Sequence, residues 1–168
     1  TEQYLSLIKR SDEAFKQLVE YFEKQSEPTI IMMFGDHQPG DAVVRSLYTS
    51  VGQTYPPEAF EDQYKRYIVP FFLWANFDID ERDDVTISAN YLSTLLCEVA
   101  GIELTPQMKY LSELYEKYPV LNANGYIDSD GNLFSADKIN ENNDLTEYSC
   151  IQYNLLFDRK ERVEALFK

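Results

Sequence analysis

Along the first two dozen positions apolar residues recur at Tyr4, Leu5, Ile8, Phe15, Leu18, Val19 and Phe22, the spacing of one helical face, and Pro28 lies just beyond. This predicts a helix of about six turns with one buried face. The pattern then changes. Thr29-Ile30-Ile31-Met32-Met33-Phe34 is an unbroken apolar run, short and rich in strand formers, which predicts a strand covered on both sides as in a parallel sheet. It stops at Gly35. Helix, buried strand and polar loop in that order form the αβ half of a βαβ unit, and in such sheets functional residues gather beyond the carboxyl ends of the strands.

Between Gln38 and Pro57 turn formers punctuate the chain at Pro39-Gly40, Gly52 and Pro56-Pro57, so this stretch reads as an ordered surface loop with a short helix around residues 42–47. A loop of that length points to function. Residues 58–66 fit a helical turn. Residues 67–76 fit a second strand, with Pro70 confined to its start or to an edge because proline donates no ladder hydrogen bond. After an acidic loop, Ser88 can cap a helix whose apolar face is Leu92, Leu95, Leu96 and Val99, and Gly101 is placed to end it in the left-handed conformation. Thr105-Pro106 is an N-cap followed by proline at the first helical position, with Met108, Leu111, Leu114, Tyr115 and Tyr118 as the buried stripe before Pro119. Residues 125–134 predict a hairpin turning at Asp130-Gly131. A last helix is expected from Asp144 to Phe157, with Tyr148, Ile151, Leu155 and Leu156 inward.

With 168 residues, 44% of them hydrophobic, the chain can build a real core, and residues 1–168 are expected to form a single domain. No apolar run approaches the roughly 20 residues of a membrane helix, and no signal-peptide pattern opens the chain. The chain enters an amphipathic helix at once, so a preceding segment is expected. Fifteen basic against 29 acidic residues give a net charge of −14, which repels phosphate backbones and argues against nucleic acid as a partner. The plain meaning of that charge is solubility, since the acids cluster in loops such as residues 78–84. Cys97 and Cys150 lie on separate expected helices and neither demand nor exclude a disulfide.

The chain has one histidine, so any chemistry that needs an imidazole falls on His37, which follows Asp36 at a strand end. Neighbouring side chains diverge within a strand, but at its terminus the backbone can turn both toward one ion. Carboxylate oxygen with imidazole nitrogen suits Zn²⁺ or Mn²⁺. The same pair also reads as an ordinary turn with a capping aspartate, and the residues alone leave both readings open. Asp128, Asp130 and Asn132 begin like a calcium loop, yet Leu133 and Ile139 stand where glycine and glutamate are required, which leaves a hairpin turn. There is no glycine-rich phosphate loop, no Gly-x-Ser-x-Gly elbow and no Cys-x-x-Cys motif. The 13 tyrosines and 10 phenylalanines fall on the apolar faces and read as core, with a sugar-stacking surface as the lesser alternative.

The helix carrying Ser11-Asp12-Glu13-Ala14-Phe15, followed by the segment Pro28 to Pro39 with its Phe34-Gly35-Asp36-His37-Gln38-Pro39, resembles the second half of the sulfatase-like domain of lipoteichoic acid synthases and phosphoglycerol transferases, in the alkaline phosphatase superfamily. Residues 67–76 and 88–93 are similar to that family as well, and the resemblance runs from Tyr4 to about Tyr126. It implies an α/β fold: part of an alkaline-phosphatase-like three-layer sandwich, with a mixed or parallel sheet, helices and a small C-terminal hairpin. In that family the Asp-His pair ligates a divalent ion. The resemblance therefore assigns Asp36 and His37 as metal ligands, for Mn²⁺ foremost, with Mg²⁺ or Zn²⁺ as alternatives. Gln38, their polar neighbour, is the candidate substrate contact. The family's threonine nucleophile, an acidic ligand and a substrate-binding histidine would precede Thr1, so no catalytic nucleophile is expected in this chain, which would be inactive alone. Its expected partners are the N-terminal half of the same catalytic domain and a phospholipid or glycerophosphate substrate. The expected reaction is attack of the threonine on a phosphodiester, or on a sulfate ester, of cell-surface glycolipid polymers, at the extracellular face of the membrane that anchors the parent. A rival from another class is a non-catalytic acidic binding module.

Overall fold

The computed structural model describes residues 2–158 and 160–168. The chain divides into two compact units, Thr1–Asp80 and Glu81–Lys168. In the first, the helical spacing at the start of the sequence becomes α1, Glu2–Phe22. Its expected buried face is only partly covered. Tyr4, Phe15, Val19 and Phe22 are half-buried, whereas Leu5, Ile8 and Leu18 face solvent. Phe15 stacks on Phe72 with ring centres 6.1 Å apart.

The two apolar runs form β1, Ile30–Phe34, and β2, Phe71–Ala75. They pair antiparallel, from Ile30 opposite Ala75 to Phe34 opposite Phe71. The expectation of a parallel, doubly covered strand is corrected here, because Met33, Phe34 and Phe72 are exposed. An apolar run carries no information about strand direction. Direction is set by the connection, which reverses the chain through α2, Asp41–Ser50, α3, Phe60–Tyr64, and a 3₁₀ turn, Lys65–Tyr67. Pro70 precedes β2 by one residue, where its missing N–H costs nothing, and its carbonyl accepts from the Gly35 amide at 3.0 Å.

The second unit holds the larger core. A 3₁₀ turn, Ala89–Tyr91, leads into α4, Leu92–Val99, and α5 follows as Pro106–Lys117. Thr105 caps α5 by accepting from the Met108 amide at 3.2 Å, with Pro106 at the first turn, as expected. Gly101, at φ +65°, ends α4 as expected, with Ile102 donating back to the Cys97 carbonyl. Ser88 differs from expectation. Its side chain does not cap; it donates to Asn90 Oδ1 at 2.5 Å and accepts from the Leu121 amide at 3.0 Å.

The expected hairpin is present as β4, Gly125–Ile127, and β5, Leu133–Ser135, and a third strand, β3, Val120–Asn122, extends it to an antiparallel three-stranded sheet. A 3₁₀ segment, Ala136–Glu141, leads to α6, Asn143–Leu156, capped by Asn142, whose Oδ1 accepts from the amides of Asp144 and Leu145. Tyr91, Leu111, Leu114, Leu121, Tyr126, Leu145 and Tyr148 form one core cluster in this unit, with Leu145 fully buried. The α/β class inferred from the sequence therefore stands, as helices with two small sheets. Cys97 is half-buried, Cys150 is exposed, and both are free thiols. No helix among the described residues is long and apolar enough to cross a membrane.

Candidate functional site

β1 delivers the chain to Gly35, where a Cβ would stand 3.0 Å from the Val69 Cβ. Only glycine lets the two segments approach this closely without displacing Val69. Asp36 and His37 follow, outside the strand end and exposed, at 84% and 78% of their side-chain surface. Asp36 Oδ1 accepts from the His37 amide at 2.9 Å, which folds the carboxylate back over the peptide.

The imidazole is oriented by its other nitrogen. His37 Nδ1 lies 2.8 Å from the backbone oxygen of Gln38, and a carbonyl can only accept, so Nδ1 carries a hydrogen, and in the neutral ring Nε2 presents its lone pair. Nε2 lies 3.5 Å from Asp36 Oδ2. Two donors bound to one ion at about 2.1 Å stand roughly 3.0 to 3.4 Å apart, so the observed separation needs little adjustment to chelate. A ligating histidine also commonly gives its second N–H to a backbone carbonyl, as here. Among the described residues, no group of three or more His, Cys, Asp and Glu side chains is arranged to hold a metal ion. A carboxylate oxygen beside an imidazole nitrogen is a donor pair of the type that divalent ions take.

Gln38 does not point outward beside the pair. Its Nε2 donates to the carbonyls of Lys65, at 2.9 Å, and Ile68, at 2.7 Å, and its Oε1 accepts from Arg66 Nη1 at 2.8 Å. Arg66, only 20% exposed, also donates through Nη2 to the Pro39 carbonyl and to Asp41 Oδ1, both at 3.1 Å. Tyr55 donates its hydroxyl to the same Asp41 oxygen at 2.6 Å. The Arg66 and Arg45 guanidinium groups lie 5.9 Å and 5.4 Å from the centre of the Tyr55 ring. The Tyr55 hydroxyl, with help from Arg66, holds the Asp41 carboxyl below its ordinary range, and the Tyr55 phenol is raised in turn. Arg66, Asp41 and Tyr55 were not singled out from the sequence. Arg66 lies 28 positions from Gln38, and no local pattern announces such a partner.

No solved structure matches this chain at a significant level. A protein of Rhizobium meliloti (strain 1021), named "Putative cyclic beta-1,2-glucan modification protein", is 27% identical over 173 residues, covering 98% of this chain and 26% of its own length. The chain thus spans about a quarter of the curated relative it matches. The model of the family described as Sulfatase matches residues 1–102, a stretch that contains β1, the Asp36–His37 pair and the Arg66 cluster, and the chain belongs to the sulfatase family.

Proposed function

We propose that this chain contributes the Asp36–His37 half of a divalent-metal centre to a sulfatase-family enzyme that transfers phosphoglycerol from a phospholipid or glycerophosphate donor to a cell-surface glycan. The observation that carries the reading is the geometry of the pair: Nε2 lies 3.5 Å from Oδ2, with Nδ1 anchored on the Gln38 carbonyl, in a segment matched by the family model. The name of the Rhizobium meliloti relative supports a glycan as acceptor, and the lipoteichoic acid synthase resemblance supports phosphoglycerol as the group moved. The lipoteichoic acid synthase resemblance also supports a reaction at the extracellular face of the membrane.

When bound, the ion, Mn²⁺ foremost and Mg²⁺ or Zn²⁺ in its place, activates the nucleophile and offsets charge on the reacting phosphoryl group. The chain's own residues bind and orient. Asp36 supplies an anionic oxygen, and His37 a neutral nitrogen fixed in one tautomer. The nucleophile and the remaining ligands belong to the N-terminal half of the same catalytic domain, so this chain by itself turns over no substrate.

Two measurements test the reading. A chromogenic phosphodiester with Mn²⁺ is hydrolysed by the full-length protein and not by this chain alone; robust turnover by the chain alone would overturn the division of the site. Calorimetric Mn²⁺ titration of the full-length protein should lose most of its affinity on His37→Ala. Unchanged binding would instead make this a non-catalytic module.

A further inference from the structure

The Asp36–His37 peptide is fastened on both sides to one stretch of chain. Before it, the Gly35 amide donates to the Pro70 carbonyl at 3.0 Å. After it, the Gln38 carboxamide spends both amide hydrogens on the carbonyls of Lys65 and Ile68. The Arg66 guanidinium closes the arrangement, donating to Gln38 Oε1, to the Pro39 carbonyl and to Asp41 Oδ1. It is held flat by its partners and is four-fifths buried, so it acts as a rigid fork. Among the described residues the exposed imidazole has one hydrogen-bond anchor, the Gln38 carbonyl, and that carbonyl is only as fixed as the residue that bears it.

We infer that Gln38 and Arg66 are positioning residues that hold His37 in its Nδ1–H tautomer, with Nε2 aimed at the point shared with Asp36 Oδ2. The inference rests on the metal reading above for its function, though not for its geometry. It gives Gln38 a different task from the substrate contact expected of a polar neighbour. A loop pinned by side-chain hydrogen bonds to a 3₁₀ turn keeps two donors at chelating distance without a buried wall around them.

Because His37 is the chain's one histidine, long-range ¹H–¹⁵N correlation reads its tautomer without ambiguity. The wild type should show the Nδ1–H form. Gln38→Met, which keeps length and removes the amide, and Arg66→Gln should each shift the ring toward the mixture of a free imidazole. In the full-length protein each variant should weaken Mn²⁺ binding by about tenfold, and the double variant no more than either alone, because both act through one bracket. Arg66→Lys keeps the cation but cannot span Gln38 Oε1 and Asp41 Oδ1 together; it should shift the tautomer while the melting midpoint stays near wild type.

A wild-type Nε2–H ring, or an unmoved tautomer in all three single variants, overturns the proposal. Unchanged Mn²⁺ affinity in Gln38→Met with a raised KM for the phosphodiester also overturns it, and returns Gln38 to substrate. Unchanged Mn²⁺ affinity in His37→Ala overturns the metal reading itself and with it the bracket's role in metal binding; the tautomer measurement on the chain tells that failure apart from a failure of the bracket.

Discussion

Asn76 and Thr29 face each other in a closed pair: the Thr29 amide donates to Asn76 Oδ1 at 2.8 Å, and the Asn76 amide donates to the Thr29 carbonyl at 3.1 Å. The Asn76 Nδ2 then reaches the carbonyls of Phe22, Gln25 and Glu27, at 3.1, 3.1 and 2.9 Å. A single carboxamide thus ties the end of α1, the turn after it and the entry to β1 to the residue that follows β2. Asn76→Ala leaves these half-buried backbone groups without their partner and should lower stability by about 1 to 3 kcal/mol in urea denaturation. Asn76→Asp should cost more, since a carboxylate would face three carbonyl oxygens. Equal stability of wild type and Asn76→Asp would show that the carboxamide does not organise this turn.

Gly125 begins β4 at φ +152°, and a Cβ there would lie 2.0 Å from the Phe134 carbonyl oxygen, in the partner strand. Neither strand can yield without breaking the β4–β5 ladder and the Tyr126–Phe134 stack, whose rings are 4.8 Å apart. Gly125→Ala should therefore cost more than about 3 kcal/mol and remove the near-ultraviolet circular dichroism of that aromatic cluster. Gly131→Ala is the control. Its φ of +82° carries the left-handed penalty of about 1 to 2 kcal/mol, but nothing lies within 4 Å of the added methyl. Equal losses at the two positions would mean that backbone conformation, and not the close approach, makes Gly125 necessary.

The features legible in the sequence are those whose cause is local. Thr105-Pro106 and Gly101 mark helix ends because a cap is made with residues three or four positions away, and both behave as their types dictate. The hairpin at Asp130-Gly131 is equally local: Asp128 Oδ1 accepts from the amides of Asp130 and Asn132. Asp36 and His37 stood out because the chain has no second imidazole to compete. What escaped depends on distant partners. β3 is three residues long and exists by pairing with β4, and the direction of β1 is set by a connection whose path no period reveals. Ser88 looked like a cap, yet its hydroxyl is drawn to the Leu121 amide 33 positions away. The partners of the Gln38 carboxamide, Lys65, Arg66 and Ile68, are likewise 27 to 30 positions away.

Alkaline pH should loosen the second unit. Burial raises the phenols of Tyr91 and Tyr148, and it lifts Tyr110 from 10.0 to about 12. These groups stay protonated in the folded chain while the unfolded chain ionises, so their contribution is complete below pH 10.0 and is lost as pH rises toward and through the folded values. The urea midpoint should accordingly fall as pH climbs from 10.0 to about 12. Tyr110→Phe should make that fall shallower, because it removes one of the protons bound differently in the two states, at the expense of the Tyr110 hydroxyl's bond to the Asp144 carbonyl. An unchanged slope would assign the alkaline transition to other groups.

The Asp41 network should respond at the opposite end of the scale. Its carboxyl is depressed below 3.8, first by the Tyr55 hydroxyl and then by Arg66, so the folded chain holds the ionised form more strongly than the unfolded chain does. Its contribution is therefore present above pH 3.8 and is lost as pH falls through the lower folded value. Asp41→Asn should destabilise the first unit near neutral pH, and the difference from wild type should shrink steadily under acid as the wild-type carboxyl also takes up its proton. The Tyr55 phenol supplies a second reading. It is raised by its bond to Asp41, so in Asp41→Asn its titration, followed by ultraviolet difference absorbance, should move down toward the ordinary tyrosine range. Because Arg66 spans Asp41 and Gln38, acidification that frees Arg66 from Asp41 should also soften the loop bearing His37, and hydrogen exchange of the amides of His37, Gln38, Gly40 and Asp41 should quicken in the same acid range. Exchange rates that follow only the intrinsic pH dependence, with no added step below pH 3.8, would show that the guanidinium keeps the loop in place through Gln38 and Pro39 alone.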